Sequence, residues 1–141
     1  MTFFCFFEQM EIPGSGIVNR YIAAQGPLPN TCADFWQMVW EQQCRLVVML
    51  TTEVEQGRVK CHRYWPDLYE TMDFGNMQVT CVKEECSASF AFREFTLVNM
   101  EVIESFCLTV VEEISVVIKL LMNSMQTCNS VTFYFMQKLI F

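Results

Sequence analysis

The chain has 141 residues, which is room for one domain and not two. Hydrophobic residues make up 52% and charged residues 18%, so a buried core is available and a disordered chain is excluded. A net charge of −7 with only nine Lys and Arg argues against a nucleic-acid partner.

The opening MTFFCFF is apolar, but it has no basic n-region and is too short for a signal peptide. Residues 20–24, RYIAA, predict a short strand. Gly26, Pro27 and Pro29 then predict a loop over 25–30. Thr31 is suited to an N-cap, with its hydroxyl accepting from a free backbone N–H of the first turn, and Asp34 adds negative charge near the positive helix end. A helix follows at about 32–43, with Phe35, Trp36, Val39 and Trp40 on one face.

Residues 46–51, LVVMLT, form an apolar run rich in β-branched side chains, which predicts a central strand buried on both faces. Glu55, Gln56 and Gly57 predict a turn. Over 58–65, Val59 and Cys61 alternate with Arg58, Lys60 and His62, the pattern of a half-buried strand. Met77, Val79 and Cys81 alternate with Gln78 and Thr80 and predict another strand. Residues 90–98 are its expected partner, with 83–89 as the connection.

The texture changes after about residue 100. In 102–121, Ile103, Phe106, Cys107, Val110, Val111, Ile114, Val117, Ile118 and Leu121 fall on a helical period. The many β-branched residues leave a strand pair as the alternative. If helical, this apolar face is an expected docking surface for another protein chain. The longest uncharged stretch of the tail carries Asn123, Ser124, Gln126, Thr127, Asn129, Ser130 and Thr132, so no transmembrane segment is expected. The elements add up to an α/β (α+β-like) domain with a mixed twisted sheet. Eight cysteines, mostly inside apolar runs, read as free thiols in a reducing compartment, and no cofactor or metal pattern is present.

Four motifs then recur together: Tyr21 to Pro27 (YIAAQGP), Thr31 through Asp34, Phe35 and Trp36 to Glu41, the strand Val47 to Thr51, and Lys60 to Pro66 (KCHRYWP). In this order and spacing they resemble the tyrosine-specific, cysteine-dependent protein phosphatases. The details MEIP and NTCADFWQMVWEQ are most similar to the cytoplasmic subtype that carries FERM and PDZ domains. The resemblance places a partial phosphatase domain at 10–100 and leaves 101–141 as a divergent tail. It implies an incomplete phosphatase fold, phosphotyrosine proteins as the family's substrates, and a cytoplasmic location, with cytoskeletal or membrane association in a full-length parent. It gives Gln25, Gly26, Pro27, Phe35, Trp36, Tyr64, Trp65 and Pro66 scaffold roles. Glu55 matches a glutamate that holds the phosphate-loop arginine, and Lys60 a lysine that approaches the mobile acid loop. The alternative for both is a solvated charge beside a turn.

The chemistry itself is missing from the expected positions. The family's nucleophile is a thiolate followed six residues later by Arg, in a loop whose backbone amides curl round the phosphate. Six residues after the eight cysteines stand Glu11, Met38, Leu50, Asp67, Ser87, Phe92, Glu113 and Tyr134. Cys86 and Arg93 miss by one position and lack the glycines. Trp65, Pro66 and Asp67 spell the family's acid-loop tripeptide, but inside the earlier KCHRYWPD motif, so Asp67 reads as a turn residue. Asn19, Arg20 and Tyr21 stand where the family has a strand, not its substrate-clamping loop. No residue is assigned to catalysis. The chain is expected to stop short of the acid loop and nucleophile loop and to be inactive by itself. The other expectation is a non-catalytic interaction module or decoy.

Overall fold

A computed structural model describes residues 5–14, 16–50, 53–55, 57–113 and 137–140. Its elements in chain order are β1 (Cys5–Ile12), β2 (Ile17–Ala24), α1 (Cys32–Glu41), β3 (Leu46–Met49), β4 (Val54–Glu55), β5 (Arg58–Val59), β6 (Thr71–Phe74), β7 (Met77–Cys86), β8 (Phe90–Asn99), β9 (Glu104–Glu113) and β10 (Gln137–Ile140). Eight strands make one sheet in the order β1-β2-β10-β3-β9-β8-β7-β6, and β4 and β5 form a separate hairpin. Among the described residues only strands β3 and β9 pair in parallel, and the other neighbouring strands of the sheet pair antiparallel. The expected α/β class with a mixed sheet is the class observed.

The helix forms where its aromatic spacing places it and stops two residues before the expected end. Gln43 adopts a left-handed φ of 53°. Its N–H donates to the Trp40 carbonyl, and the Cys44 N–H reaches back to the Val39 carbonyl, both at 3.0 Å. This pair of bonds is a Schellman cap, and it buries Cys44 beneath the helix end. At the other end the Thr31 hydroxyl does not cap the first turn. It accepts from the Leu28 N–H at 2.9 Å instead, because the loop before the helix already closes on Thr31 through its N–H bond to the Leu28 carbonyl. Asp34 remains alone as the acidic group of the first turn.

The central strand β3 lies between β10 and β9 as a buried apolar run should. Its two faces differ, though: Val47 and Met49 are fully buried, while Leu46 and Val48 are only half-buried. Among the described residues the single helix covers one face only, so burial alternates where the sequence predicted none.

Three further expectations are corrected. The strand over 58–65 is confined to β5, and the chain then leaves extended pairing. Lys60 and Cys61 donate to the Glu53 carbonyl at 2.8 and 3.4 Å, and His62 donates to the Pro27 carbonyl at 2.8 Å. Val59 ends 72% exposed and Cys61 1% exposed, so the two do not share a face. The expected connection 83–89 is mostly strand. A bulge at Val82 shifts the register, and residues 83–86 continue the ladder with β8. The tail's helical period is a strand over Glu104–Glu113. Here two-strand pairing wins over helical periodicity, because β9 joins β8 on one side and β3 on the other while burying Phe106, Leu108 and Val110 at period two. An apolar helical face for docking therefore does not exist over these residues. Ile114, Val117, Ile118 and Leu121 lie outside the described residues. No helix of the described residues is long and apolar enough to cross a membrane.

Candidate functional site

The sequence motifs converge at one place, where α1 packs over the sheet. Trp36 is its hub. The indole N–H donates to the Tyr64 carbonyl at 2.8 Å, in full burial. Its ring lies 5.7 Å from Tyr64, 6.2 Å from Phe95 on β8 and 6.3 Å from Phe74 on β6. Phe35 meets Tyr64 edge-on at 4.8 Å, and Tyr64 meets Trp65 edge-on at the same distance. One turn along the helix, Trp40 stacks on Phe106 of β9 at 5.4 Å. Such offset and edge-on contacts add to the area these rings bury.

Gln25, Gly26 and Pro27 lie against the same segment. A Cβ on Gly26 would stand 3.0 Å from both Cβ and Sγ of Cys61, tighter than most side-chain contacts. The neighbouring cysteine, and not backbone conformation, therefore disfavours a side chain here. The bond from the His62 N–H to the Pro27 carbonyl closes the contact. Pro66 is buried beside Trp65. Thus Gly26, Pro27, Phe35, Trp36, Tyr64, Trp65 and Pro66 are brought into one packed unit, with Gln25 half-buried at its margin.

Lys60 borders that unit, its carbonyl lying beside Gly26, and Glu55 lies on the neighbouring hairpin. Glu55 pairs across the β4–β5 turn with Arg58, and its side chain lies outside the described residues. Lys60 follows β5 and is half-buried. Val54 and Val59 face each other in the hairpin yet are 54% and 72% exposed. This hairpin is a projection beside the core.

Three of the buried thiols are held in the neutral form. Burial pushes Cys32 up to about 11 and Cys44 up to about 12. Cys81 is also raised, chiefly by burial. An activated thiol needs the opposite shift, from nearby positive charge or a helix N-terminus. Cys86 and Cys107 are exposed, and Cys128 lies outside the described residues.

Arg93, which the sequence reading set aside, has a defined structural position. Its guanidinium bonds Glu84 on β7 at 2.6 Å and Glu112 on β9 at 3.1 Å, with only 11% of the side chain exposed. Burial alone would lower its pKa, but the two carboxylate bonds more than offset this and raise it. The ring of Trp65 lies 5.0 Å beneath it. Arg93 thus ties three strands together and does not serve Cys86. The signal was present in the sequence as an Arg on β8 with Glu84 directly opposite, a register visible only once the Val82 bulge is known. Asp67 pairs with Arg63 four residues earlier, and its carbonyl accepts from the Glu70 N–H at 2.9 Å, which places it in a turn. Among the described residues no group of three or more His, Cys, Asp or Glu could hold a metal ion.

The arrangement can hold a sheet, a helix and a loop in fixed register. It does not assemble a nucleophile, an acid and an anion-binding arginine from the described side chains. Comparison with known proteins gives the context. Residues 8–111 match the family model for protein-tyrosine phosphatase. The chain is 58% identical over 106 residues to tyrosine-protein phosphatase non-receptor type 4 of Mus musculus, covering 75% of this chain and 11% of the relative. It is 55% identical over 91 residues to tyrosine-protein phosphatase 1 of Caenorhabditis elegans, covering 64% of this chain and 9% of the relative. It is 45% identical over 94 residues to receptor-type tyrosine-protein phosphatase eta of Gallus gallus, covering 67% of this chain and 7% of the relative. The chain therefore spans about a tenth of the length of the curated relatives it matches.

Proposed function

The chain belongs to the protein-tyrosine phosphatase family, and from that premise we propose that these 141 residues are a scaffold portion of such a domain, without phosphatase activity of their own. The observation that carries this reading is that none of the eight cysteines is followed six residues later by an arginine. A thiolate awaiting a phosphoryl group needs that guanidinium and a ring of backbone amides. The raised thiols Cys32 and Cys44 and the engagement of Arg93 by two carboxylates support it. Phosphotyrosine proteins are the substrates proposed for a complete domain, and a cytoplasmic location is proposed for the parent.

Within that reading Glu55 and Lys60 keep their assignments from the resemblance. In a complete domain Glu55 would hold the phosphate-loop arginine and Lys60 would approach the acid loop. The exposed flank of the β4–β5 hairpin at Val59 leaves room for a further segment of chain to approach it. The division at about residue 100 is a division of motifs, since β9 continues the same sheet beyond it.

The test is phosphate release from phosphotyrosine peptides by the purified chain. The rate should equal that of the peptide alone. Turnover that disappears when one cysteine is replaced by serine would overturn the proposal.

A further inference from the structure

Residues 67–73 are exposed without a break, whereas Phe35, Trp36, Tyr64, Trp65, Phe95 and Phe106 lie in the core. They form the approach to β6, which has β7 on one side and stands last in the order of the described sheet. Tyr69 is 79% exposed, against 0% for Tyr64. Its backbone is left-handed, with φ of 64°, an uncommon conformation for a residue with a bulky side chain. Bonds to the Cys81 carbonyl from the Tyr69 N–H at 2.8 Å and to the Asp67 carbonyl from the Glu70 N–H at 2.9 Å hold that turn. The ring is thereby projected away from the sheet and not folded onto it. A persistent outlier of this kind is a reason to ask what the side chain is for.

The flanking sequence is acidic; Asp67 is engaged by Arg63, and Glu70 has no salt bridge among the described residues. Asp67, Glu70 and Asp73 stand at −2, +1 and +4 from Tyr69, and no Lys or Arg occurs between Arg63 and Lys83. We propose that Tyr69 is a phosphorylation site for a tyrosine kinase with a basic substrate groove. Among the described residues the outer side of β6 carries no strand, and a kinase strand can align along it. An edge segment with all its side chains in solvent is also inexpensive to open locally. In the transfer, the Tyr69 oxygen attacks the γ-phosphorus of ATP and an O–P bond forms. The bond to the β–γ bridging oxygen breaks, ADP leaves, and the phenolic proton passes to the kinase's carboxylate base. This site is independent of the phosphatase reading above.

The test incubates the full folded chain with ATP and a tyrosine kinase that selects acidic peptides, and locates phosphate by peptide mass spectrometry. Phosphate should appear on Tyr69 and not on Tyr64. Tyr69→Phe, at an exposed position, should abolish it. Glu70→Gln and Asp73→Asn should each slow it by roughly two- to fivefold, the worth of a solvent-exposed ion pair. The proposal fails if Tyr69 of the folded chain stays unmodified, including the case where it becomes modified only after denaturation. It also fails if neutralising both carboxylates leaves the rate unchanged.

Discussion

The aromatic unit around α1 and the β4–β5 hairpin carry motifs of the same family, yet they are built differently. In the first, Phe35, Trp36 and Tyr64 are completely buried, and a methyl group on Gly26 would press on Cys61. In the second, Val54 and Val59 are exposed and the hairpin is separate from the main sheet. The residues with scaffold roles are held by mutual packing within these residues. Glu55 sits on that hairpin, and Lys60 follows it, half-buried.

Substitution should separate the two regions sharply. Trp36→Ala removes the ring that touches Tyr64, Phe74 and Phe95 together with the bond to the Tyr64 carbonyl. The expected loss is about 3–5 kcal/mol in denaturant unfolding. Val59→Ala, at 72% exposure, should stay within about 0.5 kcal/mol. Equal effects would erase the distinction.

A smaller effect, about 1–3 kcal/mol, is expected from Gly26→Ala, which forces a methyl into Cys61. Combining it with Cys61→Gly should recover part of that loss, since the obstructing Cβ and Sγ are gone. No recovery would mean that Gly26 matters for a reason other than this contact.

The most gradual effect is a slope with pH. Cys32 and Cys44 are neutral when buried, with folded pKa values of about 11 and about 12 against an ordinary value of 9.0. Above 9 the unfolded chain loses these protons while the folded chain keeps them. The stability contribution is therefore complete below about 9 and falls as pH rises towards 11–12. Each thiol contributes up to about 1.4 kcal/mol per pH unit over its window. Chemical unfolding followed from pH 8 upwards should show the decline, and Cys44→Ala should flatten it. A chain whose stability is level through this range contradicts the burial of these thiols.

How much of this was legible in the sequence follows the range of the interactions. The helix was legible because its aromatic spacing is local. Its end was not, because the left-handed cap residue is Gln43 and not the glycine that usually marks one. Residues 104–113 carry two periods at once: Phe106, Val110 and Val111 suit a helix, while Phe106, Leu108 and Val110 suit a strand. Only partners on both sides decide between them. Strand β6, with Thr71 and Asp73 among its four residues, has too weak an apolar signal to be read alone. The alternation over 58–62 is real, yet contacts to Glu53 and Pro27 override it. The family motifs identified the residues of the packed unit. They did not reveal why a side chain at Gly26 is disfavoured, since its neighbour Cys61 belongs to a different motif.

Equilibrium binding of vanadate, followed by vanadium NMR, tests the central claim most directly, because this oxyanion reports the phosphate cradle without requiring turnover. The account predicts no saturable binding to the folded chain at millimolar vanadate. Saturable binding that is lost when a single cysteine or arginine is substituted, with the fold intact, would contradict it.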